Sequence, residues 1–214
     1  MKQNRIEFPN HIDSPRAYAV MRSGKRMHLF DASPLDIELE DFVFGASRVP
    51  RWGGQVVGEI SYTSLQHSET VERIAVDMLG AGGNVLARGA CLCHDLHEGG
   101  GIGDIITPYG RIFDRAGLEL LKARLDSLLF PAAGLRWPLP TEVLEIVKKA
   151  DKIAAVTEAV QLGGWEEDEA RDIVGKGYRG PLWDKTIIVL DEIRSRESWK
   201  QKFRMIGGQG LKAA

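Results

Sequence analysis

Four side chains far apart in the sequence, His67, His94, Asp95 and Asp151, are of the types that hold a divalent cation. Each falls where its surroundings are apolar. His94 and Asp95 lie in LARGACLCHDLHE, the most apolar stretch of the chain, where an unpaired carboxylate is costly. His67 shares a helical stripe with Val71, Ile74 and Met78, four, seven and eleven residues on, and Asp151 shares one with Val147, Ala154 and Glu158. Alone, His67 reads as a core histidine bonded to a carbonyl, and Asp151 as a solvated acid in KKADK balanced by Lys148, Lys149 and Lys152. Together the four make a mixed imidazole and carboxylate set, which suits one divalent transition ion, Zn, Mn, Fe, Co or Ni, better than Ca, with Mg also possible.

Glu98 follows His94 by four residues and Asp95 by three, so on a continuous helix it faces the same way, where a carboxylate can activate a water. Asp104, beyond a glycine loop, is placed to assist it. Other constellations fit less well. Cys91, Cys93, His94 and His97 are dense in zinc-type ligands, but on a helix the two cysteines diverge by roughly 200°. His97 remains an alternative ligand. GGGIGD lacks the strand before it and the Gly-Lys-Ser/Thr ending of a phosphate loop, and burial of Cys93 argues against a thiolate nucleophile.

The elements that position these residues are mainly helical. Residues 1–15 read as a flexible arm, and AYAVM and RMHLF around Ser23, Gly24 and Lys25 as a short hairpin. Ser33-Pro34 precedes a helix through LEDFVFGASRV that Pro50 stops. Further helices are expected from Thr63 or Ser64 to Leu79, Val85 to Leu96, Asp114 to Leu129, Thr141 to Leu162 and Trp183 to Phe203, with a frayed tail. The glycines from Gly99 to Gly103 read as a flexible loop. The fold class is all-α, with a small N-terminal β-hairpin. The expected divisions are the arm, a main domain over 16–162, and a helical extension over 163–214 packed on it.

A formal net charge of −2 gives no global attraction to nucleic acid or anionic membrane, so any phosphate must be held by a local basic site. No segment approaches the length of a membrane span and the N-terminus lacks a signal-like apolar run, which predicts a cytoplasmic protein. Cys91 and Cys93 read as buried reduced thiols rather than a disulfide.

In order, SLQHS, CLCHDLHE, Asp104 in GDIITP and KKADKIAAVTEA resemble the HD-domain phosphohydrolases, in the branch of bacterial 5′-deoxynucleotidases and phage dATP triphosphohydrolases, over roughly residues 17–162. The resemblance implies an HD helical bundle with the metal on His67, His94, Asp95 and Asp151, and with Glu98 and Asp104 acting on the attacking water. It also implies nucleotide contacts from Arg51 and Trp52, which match an Arg-Trp pair of the group, and from Arg111, which stands near a common lysine; Lys148 is a further basic residue available to neutralise a triphosphate. Guanidinium suits bidentate phosphate binding and indole suits stacking on a base, while the ordinary alternatives are a surface arginine and a core tryptophan. The implied activity is hydrolysis of a deoxynucleoside triphosphate, dATP first, to deoxynucleoside and triphosphate. A second ion would then accompany the triphosphate. The alternatives are a nucleotidase acting on deoxynucleoside monophosphates and a non-catalytic nucleotide-sensing module of the same fold. The partners implied are a small-molecule nucleotide and further copies of the chain in a homo-oligomer.

Overall fold

The computed structural model describes residues 18–29, 31–106 and 115–211. The expected arm and Arg111 lie outside them. Strands β1 (Tyr18–Val20) and β2 (Arg26–His28) pair antiparallel, with Ala19 opposite Met27. Gly24, at φ 85°, makes the turn in a left-handed conformation that glycine adopts without strain. The turn is pinned to the next helix, because Ser23 donates through its N–H and hydroxyl to the buried Asp41.

Seven helices follow among the described residues: α1 (Leu39–Ala46), α2 (Ser64–Leu79), α3 (Val85–Cys93), α4 (Arg115–Ala132), α5 (Thr141–Gln161), α6 (Glu167–Glu169, continued by a π-turn over Ala170–Val174) and α7 (Glu192–Met205). The molecule is mostly helical, with one small antiparallel hairpin. Thr63 caps α2 by accepting the Gln66 N–H, and Gly80, in the left-handed region, ends it. Asn84 caps α3 by accepting from Ala87.

Helix α2 is the centre of the bundle and packs against α3, α5 and α7. Its first three turns bury polar residues on every side, among them His67, Glu69 and Glu72, which other elements reach: Ser198 and Lys202 of α7 both meet Oε2 of Glu69, and Arg88 of α3 meets Glu72. The main apolar core runs from Met21 to Ile206 and contains Trp199 and Phe203 of α7, and a smaller cluster of Val156, Ala159 and Ala170 packs against Trp52 and Trp165. Cys91 and Cys93 are buried free thiols, and burial pushes the Cys91 thiol up to about 12.

Several boundaries differ from expectation. Helix α3 stops at Cys93, so His94 and Asp95 occupy a turn and Glu98 a short 3-10 turn over Leu96–Gly100. The glycines after Glu98 are not a loose loop at the start: Gly99 and Gly100 press on α1, and a Cβ at Gly99 would lie 2.1 Å from the Phe42 carbonyl oxygen. Helix α4 runs on through Pro131, which falls in its last turn.

The final helix begins at Glu192 rather than Trp183, because Asp191 caps it by accepting from Ile193 and Arg194, and the β-branched run TIIV before it has low helix propensity. Residues 183–191 form instead a strap held by side-chain amides. Gln161 accepts from Ile187 N–H and donates to the Lys185 carbonyl, Gln66 accepts from Leu190 N–H, and Trp183 donates to Asp77. The tail is docked through 211 rather than frayed, since Gln209 N–H donates to the Ala133 carbonyl.

Candidate metal centre

Two helices and the turn after α3 bring His67, His94, Asp95 and Asp151 together. Nε2 of His67, on α2, lies 3.0 Å from Oδ1 of Asp151 on α5 and 3.7 Å from Oδ2 of Asp95. Nε2 of His94 lies 3.2 Å from the same Asp95 oxygen, and the two imidazole centroids are 5.2 Å apart. One ligand atom each from His67, His94 and Asp151 falls within 4.8 Å of the others.

The far side of each ring decides which nitrogen faces this cluster. Nδ1 of His94 is 2.8 Å from the Cys91 carbonyl, which can only accept, so Nδ1 carries the hydrogen and Nε2 is the nitrogen left to bind. Nδ1 of His67 is 2.6 Å from Oε1 of Glu158, which orients that ring the same way. Nε2 of His94 is buried, and its 3.2 Å approach to Asp95 is a charge contact outside hydrogen-bond geometry. An orphaned buried nitrogen beside two carboxylates is the donor set a cation would complete, so these residues fit a divalent ion of the transition series. Asp151 is 45% exposed, so the cluster opens to solvent on the α5 side.

Glu158 has a larger part than its place on the α5 stripe suggested. It is fully buried, and besides His67 it accepts from the Tyr62 hydroxyl at 3.0 Å and the Trp52 indole N–H at 3.2 Å, with Nε of Arg51 3.4 Å from its second oxygen. A carboxylate behind a ligating histidine fixes the ring and makes it a stronger ligand. The signal for it in the sequence was an acid on an otherwise apolar stripe.

Arg51 and Trp52 are thus bound to this interior group. Arg51 also lies 3.5 Å from Asp95, and Trp52, at φ 59°, packs its ring against Trp165 at 6.5 Å. Glu98 is buried and accepts the Ser64 hydroxyl at 2.5 Å. Asp104 is half-buried and close enough for its charge to act on both Arg51 and Glu98. Lys148 is exposed on α5, one turn before Asp151.

Charges in this interior are strongly coupled. Burial pulls the His67 pKa down and Arg51 adds to that, yet Glu158 and Asp151 prevail and raise it to about 10. Burial opposes ionisation of Asp95, but His94, His67 and Arg51 hold its carboxyl well below the usual range. Glu158 is lowered in the same sense, with His67 and Arg51 outweighing burial. Glu98 moves the other way: burial first, then the charges of Asp95 and Asp104, push it up to about 7.

The fold and site define a mostly helical protein with a buried histidine and aspartate cluster suited to a cation. No family model matches the chain. It is 37% identical over 161 residues to an uncharacterized protein of Rhodobacter capsulatus, a match covering 75% of this chain and 81% of that one. The chain belongs to the same family as that protein. Among the described residues no helix is long and apolar enough to cross a membrane.

Proposed function

We propose that the protein is a metal-dependent phosphohydrolase of the HD type acting on deoxynucleotides, with a deoxynucleoside triphosphate, dATP foremost, as substrate. The observation that carries this reading is the pair of histidines with Nδ1 engaged and Nε2 turned toward Asp95 and Asp151, beside a buried acid, Glu98, that is poised to exchange a proton near neutrality. A divalent ion on His67, His94, Asp95 and Asp151 supplies Lewis acidity to the phosphate and to the attacking water.

Glu98, buried and bonded to Ser64 through one oxygen, would take the proton from the water with the other. Asp104 contributes by holding the Glu98 proton affinity up through its own charge. Arg51 has Nε toward Glu158 and one terminal nitrogen toward Asp95, so its remaining donors are available to a phosphate oxygen. In the reaction the water oxygen bonds to the α-phosphorus, the bond from phosphorus to the sugar O5′ breaks, and a proton passes to that oxygen. Trp52, Arg111 and Lys148 are the remaining candidate contacts to base and phosphates.

The test is chromatography of products after incubation with dATP and dAMP in Mn, Co or Mg. Deoxyadenosine with intact triphosphate is expected. Turnover of dAMP alone would transfer the reading to a 5′-deoxynucleotidase, and no turnover of any nucleotide with any of these ions would overturn it.

A further inference from the structure

Three arginines from three parts of the fold converge on one aromatic ring that the metal centre does not use. The guanidinium carbons of Arg22 in the hairpin turn, Arg48 just beyond α1 and Arg196 on α7 lie 4.3, 3.8 and 5.0 Å from the ring centroid of Phe44 on α1. No two of them are farther apart than the two longest of these distances laid end to end, close to the roughly 8 Å over which physiological salt screens a charge. Two of the three are fixed in place. The turn that carries Arg22 is pinned by the bonds of Ser23 to Asp41, three residues before Phe44. Arg196, 16% exposed, donates through Nη1 at 3.0 Å to the Ser47 hydroxyl, which itself donates to the Phe44 carbonyl.

The negative charge set against them is small. Glu192 lies 2.7 Å from Nε of Arg48 and 3.7 Å from Nη1 of Arg196, so one carboxylate serves two guanidiniums. Arg22 is exposed and, among the described residues, makes neither a hydrogen bond nor an ion pair. Lys200, one turn beyond Arg196, is already matched by Glu40. A chain of formal net charge −2 therefore concentrates an excess of two positive charges around one ring. The ordinary account is that Arg48 and Arg196 tie α7 to the C-terminal end of α1, where the helix dipole and the ring face both favour cations. That accounts for two arginines and leaves the third, brought to the same ring against the repulsion of the others.

We propose that Arg22, Arg48 and Arg196 form a surface site, apart from the metal centre, for a compact polyphosphate, either inorganic or the tail of a nucleotide. Guanidinium is permanently charged and presents its donors in a planar fork that matches phosphate oxygens. A compact ligand fits better than a nucleic-acid strand, which needs a continuing track of positive charge. On the Arg48 side the surface runs instead into a groove lined by Glu59, Asp191 and Glu192. The Phe44 ring is taken up by guanidiniums rather than offered to a base. Helix α1 also rests on the turn that carries Glu98, because a Cβ at Gly45 would lie 2.0 Å from the Gly99 carbonyl oxygen, so a ligand joining the hairpin, α1 and α7 braces the support of that turn. The site stands independently of the phosphohydrolase reading.

The experiment is isothermal titration calorimetry of metal-free protein in excess EDTA with inorganic tripolyphosphate, and with dATP in parallel. Wild type is expected to bind tripolyphosphate, more weakly as sodium chloride is raised. Arg22→Glu is expected to weaken that binding at least about 10-fold, the loss that follows removal of a charged donor. Arg179→Glu, which reverses a charge 65% exposed and outside the group, is expected to keep the wild-type affinity. Equal affinities for tripolyphosphate and dATP, both lost in Arg22→Glu, assign the ligand as the phosphate chain alone, and tighter binding of dATP with the same loss assigns it as a nucleotide. An anion held at the metal centre instead would survive Arg22→Glu. Absence of tripolyphosphate binding in wild type, unchanged binding in Arg22→Glu, or equal losses in the two variants overturns the site.

Discussion

Glu158→Gln is the smallest change that tests whether the interior carboxylate organises the centre. Oε1 accepts from His67 at 2.6 Å and from Tyr62 at 3.0 Å, while Oε2 faces the Trp52 N–H at 3.2 Å and Arg51 Nε at 3.4 Å. All four neighbours are donors in this arrangement. Whichever way a glutamine amide is turned, its NH2 meets a pair of donors and its oxygen the other pair, so an isosteric residue cannot satisfy the pocket. Arg51 also loses one of its two anionic partners in a site where its own side chain is only 13% exposed.

An unsatisfied buried group costs about 1–3 kcal/mol, and removing one partner of a buried ion pair costs about 3–5 kcal/mol. A loss of roughly 2–5 kcal/mol in a chain of this size lowers the unfolding midpoint by roughly 4–20 °C. With His67 no longer held, metal affinity should fall about 10–100-fold. Calorimetry of the metal-free protein and competition of Mn(II) binding against a chelating dye read the two effects separately. A variant with wild-type midpoint and wild-type affinity would refute the reasoning, because the four donors would then have found acceptors elsewhere.

Two further perturbations address the scaffold. Gly99→Ala places a Cβ 2.1 Å from the Phe42 carbonyl oxygen and 2.5 Å from the Ala46 nitrogen, both backbone, so the turn carrying Glu98 must move off α1; overpacking of this kind costs about 1–3 kcal/mol, whereas Gly83→Ala, with nothing within 4 Å, is the neutral control in the same urea titration. Asp77 has its carboxyl lowered, first by the Lys185 ammonium at 2.7 Å and further by the Trp183 N–H, against an opposing effect of burial. Because its folded pKa is depressed, its contribution is present above the ordinary aspartate value of about 3.9 and is lost as pH falls through the folded pKa. Asp77→Asn should therefore cost no more than about 1 kcal/mol near neutrality and converge on wild type in strong acid, and a difference that grew on acidification would reverse the assignment.

Helix α2 was legible in the sequence because Thr63 and Gly80 mark its ends, and α5 because its stripe keeps the helical period from Val143 to Ala159. His67, His94, Asp95 and Asp151 could be singled out because polar groups on apolar stripes need partners. Which partners was not legible. Glu158 meets Trp52, Tyr62 and His67 across 106, 96 and 91 residues of chain, and periodicity carries no information at that range. The reach of Glu98 into the interior was anticipated on the wrong geometry, since a continued helix was expected and a 3-10 turn carries it inward instead. The start of α7 was misplaced because TIIV is apolar enough to extend a helical stripe, while its stabilising bonds come from glutamines far away in the sequence.

The strap over 183–191 has a mechanical meaning. Gln66 stands beside His67 on α2, and Gln161 stands one turn beyond Glu158 on α5, so a segment bonded to both glutamines stitches together from outside the two helices whose inner faces share the His67–Glu158 bond. The last quarter of the chain is therefore a splint for the centre even though it lends no ligand to it. A cut before Trp183 would leave every proposed ligand in place and still free α2 to slide on α5, whereas a fusion joined after Leu211 would leave the splint untouched.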